Sequence, residues 1–383
     1  MPSRDAAAPG MAVNRLDTPC LLLDRAVLRR NLLAMSARMK RHGVALRPHL
    51  KTAKSAEVAR LATTGEAGGL TVSTLAEARY FADNGFRDIL YAVGIVPSRL
   101  DEVAALRARG VGLSIVTDSL DAARAIAGHA AAGATHDVLI EIDSGARRAG
   151  LDPASPLLLE VARALCGGPN VRLRGVMTHA GHSYHCRSVA EVAEIAESER
   201  MAAVTAADRL SQAGFPCPVI RVGAPPTAVH ARSLAGVTEM RPGVYMFNDL
   251  DQLALGSCGR TDLALSVLAS VIGQYPERNQ VLVDAGALAL SKDISATEFM
   301  PEAGFGTIVG HDGACVVDVN QEHGFVGSGM PLPFADWPVG ARLRILPNHA
   351  CITAAAYDRY HIVDGELDGG TTVVDVWDRI NGW

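Results

Sequence analysis

The 383-residue chain has no apolar run of about eighteen residues, so nothing in it reads as a membrane-spanning helix. It has no Cys-x-x-Cys pair. Its seven cysteines are scattered and odd in number, which suits reduced thiols in a cytosol better than a disulfide framework. There is no basic stripe interleaved with aromatics, and the formal net charge is −5, so a nucleic-acid surface is not expected. The opening stretch, Met1 to Asn14, is Ala/Pro-rich, lacks the apolar core of a signal peptide, and reads as a frayed terminus. Between Val44 and Ser55 there is no G-x-G-x-x-G turn, which an open dinucleotide-binding sheet would carry after its first strand.

What is present is rhythm. Amphipathic stretches with helical periodicity fall at Arg25–His42, Ser55–Thr64, Leu75–Gly85, Pro97–Arg109, Ser119–Ala132, Ser155–Cys166 and Val189–Ala213, with a short one near Pro226–Leu234. Between them lie short apolar runs: Val44–Arg47, Gly69–Val72, Ile89–Val93, Gly112–Val116, Val138–Ile142, Leu173–Thr178, Val219–Val222 and Val237–Arg241. Continuous apolar runs bounded by turns are the mark of strands buried on both faces. Eight such units predict an α/β fold, a closed TIM-like (β/α)8 barrel over residues 25–255, with an open doubly wound sheet as the alternative.

In such a barrel the chemistry sits at the carboxyl ends of the strands. His49 and Lys51 follow the first run. Asp143 to Gly150 follow the fifth, and His179, His182, Tyr184 and His185 follow the sixth. A half-buried lysine in that position suits a Schiff base, because a desolvated amine sheds its proton more readily. After the seventh and eighth runs come Gly223, Thr227 and Gly243, at the two loops where barrels commonly cradle a phosphate.

Beyond Gly256 the pattern becomes that of β-strands: Leu263–Ile272, Gln280–Asp284, Ala314–Val319, Arg342–Ile345, His361–Val363 and Thr371–Val376. Residues 256–383 are therefore expected to form a second, mainly β domain, joined by the N-terminal segment 15–24 as an extra strand. Two polar clusters lie there, Asn320-Gln321-Glu322-His323-Gly324 and Pro347-Asn348-His349-Ala350-Cys351. His349 and Cys351, two apart, would point the same way along an extended segment and offer imidazole and thiolate to one cation. Two protein ligands leave positions open, as in catalytic rather than structural metal sites.

Taken in order, Arg47-Pro48-His49-x-Lys51-Thr52, Glu141-Ile142-Asp143 leading to Arg148-x-Gly150, His179-Ala180-Gly181-His182-Ser183-Tyr184, Gln321-Glu322-His323-Gly324 and Pro347-Asn348-His349-Ala350-Cys351 carry a resemblance over nearly the whole chain, from about Asp17 to Trp383. The sequence resembles the fold-type III (alanine-racemase-like) pyridoxal-phosphate enzymes acting on D-3-hydroxy amino acids. These are the D-serine dehydratase, D-threo-3-hydroxyaspartate dehydratase and D-threonine aldolase family.

The resemblance implies pyridoxal 5′-phosphate bound through a Schiff base to Lys51, with Arg148 facing the pyridine nitrogen and Tyr184 beside the cofactor. By the same resemblance Gly223, Thr227, Gly243 and Val244 would hold the phosphate, and His349 and Cys351 a divalent metal. Zinc is the first choice there, with manganese, magnesium and cobalt as alternatives. Ala53 departs from the pattern, where many relatives carry His.

The activity implied is dehydration of a D-3-hydroxy amino acid to a 2-oxo acid and ammonia. Lys51 would act as base, and His179, His182 and Tyr184 would stand as further catalytic candidates. The alternative is a retro-aldol cleavage to glycine and an aldehyde. A non-catalytic pyridoxal-phosphate carrier is disfavoured by the metal pair. The expected setting is a cytoplasmic homodimer with a small-molecule substrate and neither nucleic acid nor membrane as partner.

Overall fold

The computed structural model describes residues 9–129 and 135–383. The chain forms two compact units. One holds Met35–Gly243 with Gly382–Trp383; the other holds the described residues up to Ala34 together with Val244–Asn381. The division falls at Gly243/Val244, ahead of the change in sequence pattern near residue 256. The first strand, β1 (Cys20–Asp24), belongs to the second unit, and helix α1 (Arg25–His42) follows it directly.

The first unit alternates strand and helix. After α1 come β2 (Ala45–Leu46), α2 (Ala56–Thr63), β3 (Leu70–Val72), α3 (Leu75–Asp83), β4 (Asp88–Gly94), α4 (Leu100–Ala108), β5 (Gly112–Thr117) and α5 (Leu120–Gly128). The predicted end of α5 at Ala132 lies outside the described residues. The series continues with β6 (His136–Ile142), α6 (Leu157–Cys166), β7 (Val171–Thr178), α7 (Val189–Gln212), β8 (Val219–Val222), α8 (Pro225–His230) and β9 (Glu239–Met240).

The eight strands pair in parallel in the order β2-β9-β8-β7-β6-β5-β4-β3. A bridge between His49 and Thr71 closes the ring, with Leu50 N–H donating to Thr71 O at 2.8 Å and Thr71 N–H to Pro48 O at 2.9 Å. This is the TIM-like (β/α)8 barrel that the alternation predicts.

The local reasons are plain in the sequence. Every residue of β6 is buried, the apolar Val138, Leu139, Ile140 and Ile142 as a strand covered on both faces requires. On α6, Leu158, Val161, Ala162 and Leu165 are buried at helical spacing and face the sheet. Helix α3 starts where the Thr74 hydroxyl accepts from Glu77 N–H, while the Glu77 carboxylate accepts from Ser73 N–H, each at 3.0 Å. Arg47 follows β2 directly, with its guanidinium buried between Glu239 (2.5 Å) and Asp88 (2.8 Å), and Arg221 shares Glu239 at 2.6 Å. That ion cluster fixes where the next turn, the one carrying Lys51, leaves the barrel.

The second unit adds α9 (Leu250–Ala254), β10 (Leu265–Tyr275), β11 (Gln280–Val283), α10 (Ala287–Leu290), β12 (Thr307–Ile308), β13 (Ala314–Val319), β14 (Gly324–Ser328), β15 (Arg342–Leu346), α11 (Ala350–Ala354), β16 (Arg359–Val363), α12 (Gly365–Asp368) and β17 (Asp375–Asp378). Pairings run β11-β14-β13-β12-β15-β10, and β10 returns to β11, so six antiparallel strands close a second, smaller barrel.

From β10 the sheet extends through β1 and β16 to β17. β1 is antiparallel to β10 and parallel to β16. Two strands were not predicted. β14 carries glycine at both Gly324 and Gly327 and reads as a turn, and β12 is only two residues long. The last strand also begins later than predicted, at Asp375 rather than Thr371.

Candidate functional site

In the first unit the turn after β2 brings His49, half-buried Lys51 and the carboxyl ends of the neighbouring strands together. His49 is buried, and its Nδ1 lies 3.4 Å from Lys51 N. Its pKa is driven well below the usual range by burial and then by the positive charges of Lys51 and Arg241, with His179 adding to them. The imidazole is therefore neutral. Gly243 backs this turn: a Cβ there would meet His49 O at 3.1 Å, so a side chain would push the two loops a few tenths of an ångström apart.

His179 follows β7, and its Nδ1 makes a short hydrogen bond to the carbonyl of Gly223. A carbonyl only accepts, so Nδ1 carries the proton and Nε2 keeps its lone pair. Burial, then Lys51, and to a smaller extent Arg148 and Arg241, hold the ring's pKa down at about 3, against the support of the Gly223 bond. His182, in the turn Gly181–His185, is lowered by burial, with Asp143 opposing; its Nδ1 is buried without a partner. Tyr184, half-buried, sits in the same turn.

The Arg148 side chain is 60% exposed and reaches Glu141 at 3.8 Å. Arg241, to which sequence reasoning gave no role, is buried at the end of β9. Its terminal nitrogen donates to Thr178 O at 2.5 Å, and its Nε has no partner. The Thr178, Ser183 and Ser144 hydroxyls are likewise buried and unpartnered. Buried polar atoms of this kind ask for a polar ligand. The two guanidinium groups, beside Lys51, make that ligand an anionic one, which fits a phosphorylated cofactor.

Gly223 is held at φ +156°, and a Cβ on it would come 2.7 Å from Arg241 N. Its N–H donates to Glu199 at 3.0 Å. The Thr227 hydroxyl, expected to reach an anion, donates instead to Glu199 Oε2 at 2.7 Å. Pro225 and Pro226 open α8, so its first two positions offer no N–H. Val244 is buried and is the first residue of the second unit's longer segment.

Glu199 was also missed by sequence reading, though a signal existed. It lies on the buried stripe of α7 with Val192, Ala196, Ala203, Ala206 and Leu210, whereas most of the helix's acidic residues do not.

The second unit holds the His-Cys pair. His349 and Cys351 do not lie along an extended segment, as their spacing suggested. His349 is the residue before α11, and Cys351 is the second residue in it. They still meet, through a side-chain hydrogen bond. The turn is fixed by Asp249, whose carboxylate accepts from Ala350 N–H at 2.9 Å, and by the Asn348 amide donating to Gly304 O at 2.7 Å.

His349 Nδ1 lies 2.8 Å from Asp293 Oδ2, which leaves Nε2 for a cation. Burial opposes charge on His349, but the bonds to Asp293 and Cys351 and the charges of Cys351 and Asp249 push its pKa up to about 11, so the place is built to hold positive charge. Among the described residues no group of three or more His, Cys, Asp or Glu side chains is arranged around a metal position. Imidazole, thiol and an orienting carboxylate fit a metal held by two protein donors with the rest of its sphere open. Glu322 and His323 sit in an exposed bend ahead of β14.

Residues 23–251 match the family model "Alanine racemase, N-terminal domain", and residues 264–363 match "Putative serine dehydratase domain". The chain is 43% identical over 379 residues to D-threo-3-hydroxyaspartate dehydratase of Delftia sp. (strain HT23), covering 96% of this chain and 98% of that one. It is 33% identical to D-threonine aldolase of Arthrobacter sp., covering 97% and 94%. The solved structure of the Delftia dehydratase superposes with a TM-score of 0.91 at 41% identity, over 97% of this chain and all of that one.

Proposed function

The chain belongs to the alanine-racemase-fold family that carries a serine dehydratase domain, a family of PLP-dependent lyases, and from that premise we propose that it is a metal-dependent dehydratase of D-3-hydroxy amino acids. The reading is carried by Cys351 standing beside His349 with Asp293 behind it, together with the near full-length similarity to a hydroxyaspartate dehydratase. Cleavage of the same substrates to glycine and an aldehyde is the second reading, favoured by the similarity to a D-threonine aldolase.

Pyridoxal phosphate, when bound, withdraws electrons from the substrate's α-carbon. A divalent metal, zinc first among the candidates, would supply Lewis acidity to the substrate's 3-hydroxyl. The residues of the chain do the rest. Lys51 Nζ would hold the cofactor and, once released, would take the α-proton. His179 keeps its Nε2 lone pair at any neutral pH and stands as a proton acceptor, as does His182. A guanidinium opposite the pyridine nitrogen denies it a proton and weakens its pull, which makes help at the leaving hydroxyl more necessary. Arg148 is assigned to that role by resemblance, and buried Arg241 is a second claimant. By the same resemblance Tyr184 would stand beside the cofactor, and Gly223, Thr227, Gly243 and Val244 would shape the phosphate end.

In the forward reaction the Cα–H and Cβ–OH bonds break, water leaves, and the resulting enamine takes up water to give a 2-oxo acid and ammonia. We further propose a cytoplasmic homodimer. Seven cysteines with no disulfide among them suit that compartment, and no helix among the described residues is long and apolar enough to cross a membrane.

The test is to incubate the PLP- and metal-loaded protein with D-threo-3-hydroxyaspartate, D-serine and D-threonine. Measuring 2-oxo acid against glycine then separates the two readings. Glycine plus aldehyde as the main product would overturn the dehydratase reading.

A further inference from the structure

Midway along α7, Glu199 reaches from the helical layer into the barrel mouth and is buried. Its Oε1 accepts from Ala180 N–H at 2.9 Å and from Gly223 N–H at 3.0 Å, while Oε2 accepts from the Thr227 hydroxyl at 2.7 Å. A carboxylate placed there at a burial cost must be satisfied by these three donors.

Ala180 belongs to the loop following β7, Gly223 to the loop following β8, and Thr227 to the first turn of α8. The loops are joined a second time where His179 Nδ1 donates to Gly223 O. The result is a closed circuit, in which Ala180 N–H and Gly223 N–H converge on one oxygen while His179 grips the other side of the loop at the Gly223 carbonyl. That circuit fixes both the direction of the His179 Nε2 lone pair and the path of residues 223–227.

We infer that Glu199 is a positioning residue. It holds the His179 ring and the Gly223–Thr227 loop in the geometry that receives the cofactor's phosphate, and it touches neither cofactor nor substrate itself. The inference rests on the phosphate-binding reading of that loop given above. Thr227 then serves the anion through Glu199, because its hydroxyl is already spent on the carboxylate. Gln is the conservative replacement. Its carbonyl can take both N–H donors, and its amide can donate to the Thr227 hydroxyl, which already lies 3.1 Å from Ala224 O and can donate there instead.

The experiment compares PLP with pyridoxal, which lacks the phosphate, on the cofactor-stripped full-length protein. Uptake by Lys51 is read from the visible absorption of the Schiff base. The variants are Glu199→Ala and Glu199→Gln, both checked for folding by circular dichroism. For Glu199→Ala, PLP affinity is expected to fall at least tenfold while pyridoxal affinity stays within about twofold. Glu199→Gln should stay within about threefold of wild type for both.

Equal weakening of PLP and pyridoxal in the Ala variant would make Glu199 a general structural residue and overturn the inference. Unchanged PLP affinity would do the same. Should Glu199→Ala fail to fold, Thr227→Val, which removes one donor to the same carboxylate, must show a smaller loss of the same sign, confined to PLP. Wild-type protein that binds pyridoxal and PLP equally would instead remove the phosphate-binding reading itself, a result visible before any variant is made.

Discussion

Asp293 Oδ2 lies 2.8 Å from His349 Nδ1, and that contact decides which face of the imidazole can meet a metal. A carboxylate behind a ligating histidine fixes the ring's tautomer and orientation and raises its basicity. Asp293→Asn should therefore weaken metal binding by about 10- to 100-fold without unfolding the protein. Equilibrium dialysis against zinc, followed by metal analysis, reads the change. An unaltered affinity would mean that the His349 ring does not bind through Nε2.

Removal of the metal and removal of the lysine should give opposite signatures. A chelator, or His349→Ala, should stop turnover yet leave the visible absorption of the bound cofactor in place. Lys51→Ala should abolish that band, which for a protein-bound Schiff base lies at roughly 410–430 nm. Turnover that survived exhaustive chelation would refute the role given to His349 and Cys351.

The two guanidinium groups near His179 can be separated by their environments. Arg241 is buried with an unpartnered Nε, whereas the Arg148 side chain is largely exposed. If Arg148 faces the pyridine nitrogen, Arg148→Gln shifts the cofactor's absorption maximum and its pH dependence, and Arg241→Gln chiefly costs stability. The reverse pattern, a spectral shift only in Arg241→Gln, would transfer the role to Arg241.

Acid sensitivity has a definite source in the barrel. Burial alone would raise the Glu239 pKa, but Arg47 and Arg221 hold it down at about 2, below its ordinary value near 4.5. Because the folded-state pKa is the lower one, the stabilisation is complete above about 4.5 and is lost as pH falls towards 2. Its size is on the order of 3 kcal/mol. Denaturant titrations of wild type across that window should show stability declining with acid, and Glu239→Gln should flatten the decline. An equally steep slope in the variant would place the acid-sensitive group elsewhere.

The barrel was legible because each of its strands is a short apolar run and each helix a periodic one. Lys51, His179, Gly223 and Gly243 could be named because they follow those runs directly. What stayed hidden has a common cause. Asp293, Asp249, Glu199 and Arg241 act on residues far away in the chain, such as Asp293 on His349 and Asp249 on Ala350, and sequence spacing carries no record of such partnerships. Pattern also misled at His349 and Cys351, where an extended segment was expected and a helix start was found, because the Asp249 carboxylate that accepts from Ala350 N–H lies about a hundred residues earlier in the chain. β14 was lost for a local reason, since Gly324 and Gly327 imitate a turn.

The ring of parallel strands is uneven. β6 and β7 pair along seven registered positions, but β2 and β9 pair at two, and a single bridge from His49 to Thr71 joins the next seam. The lysine thus sits beside two of the barrel's shortest pairings, where fewer ladder positions hold the wall than between β6 and β7. Local opening should begin there, so amide exchange in the ligand-free protein should be fastest among the barrel strands at residues 45–50. Cofactor bridging that part of the wall would act as a rivet, slowing exchange across the seam and raising the temperature at which the barrel comes apart.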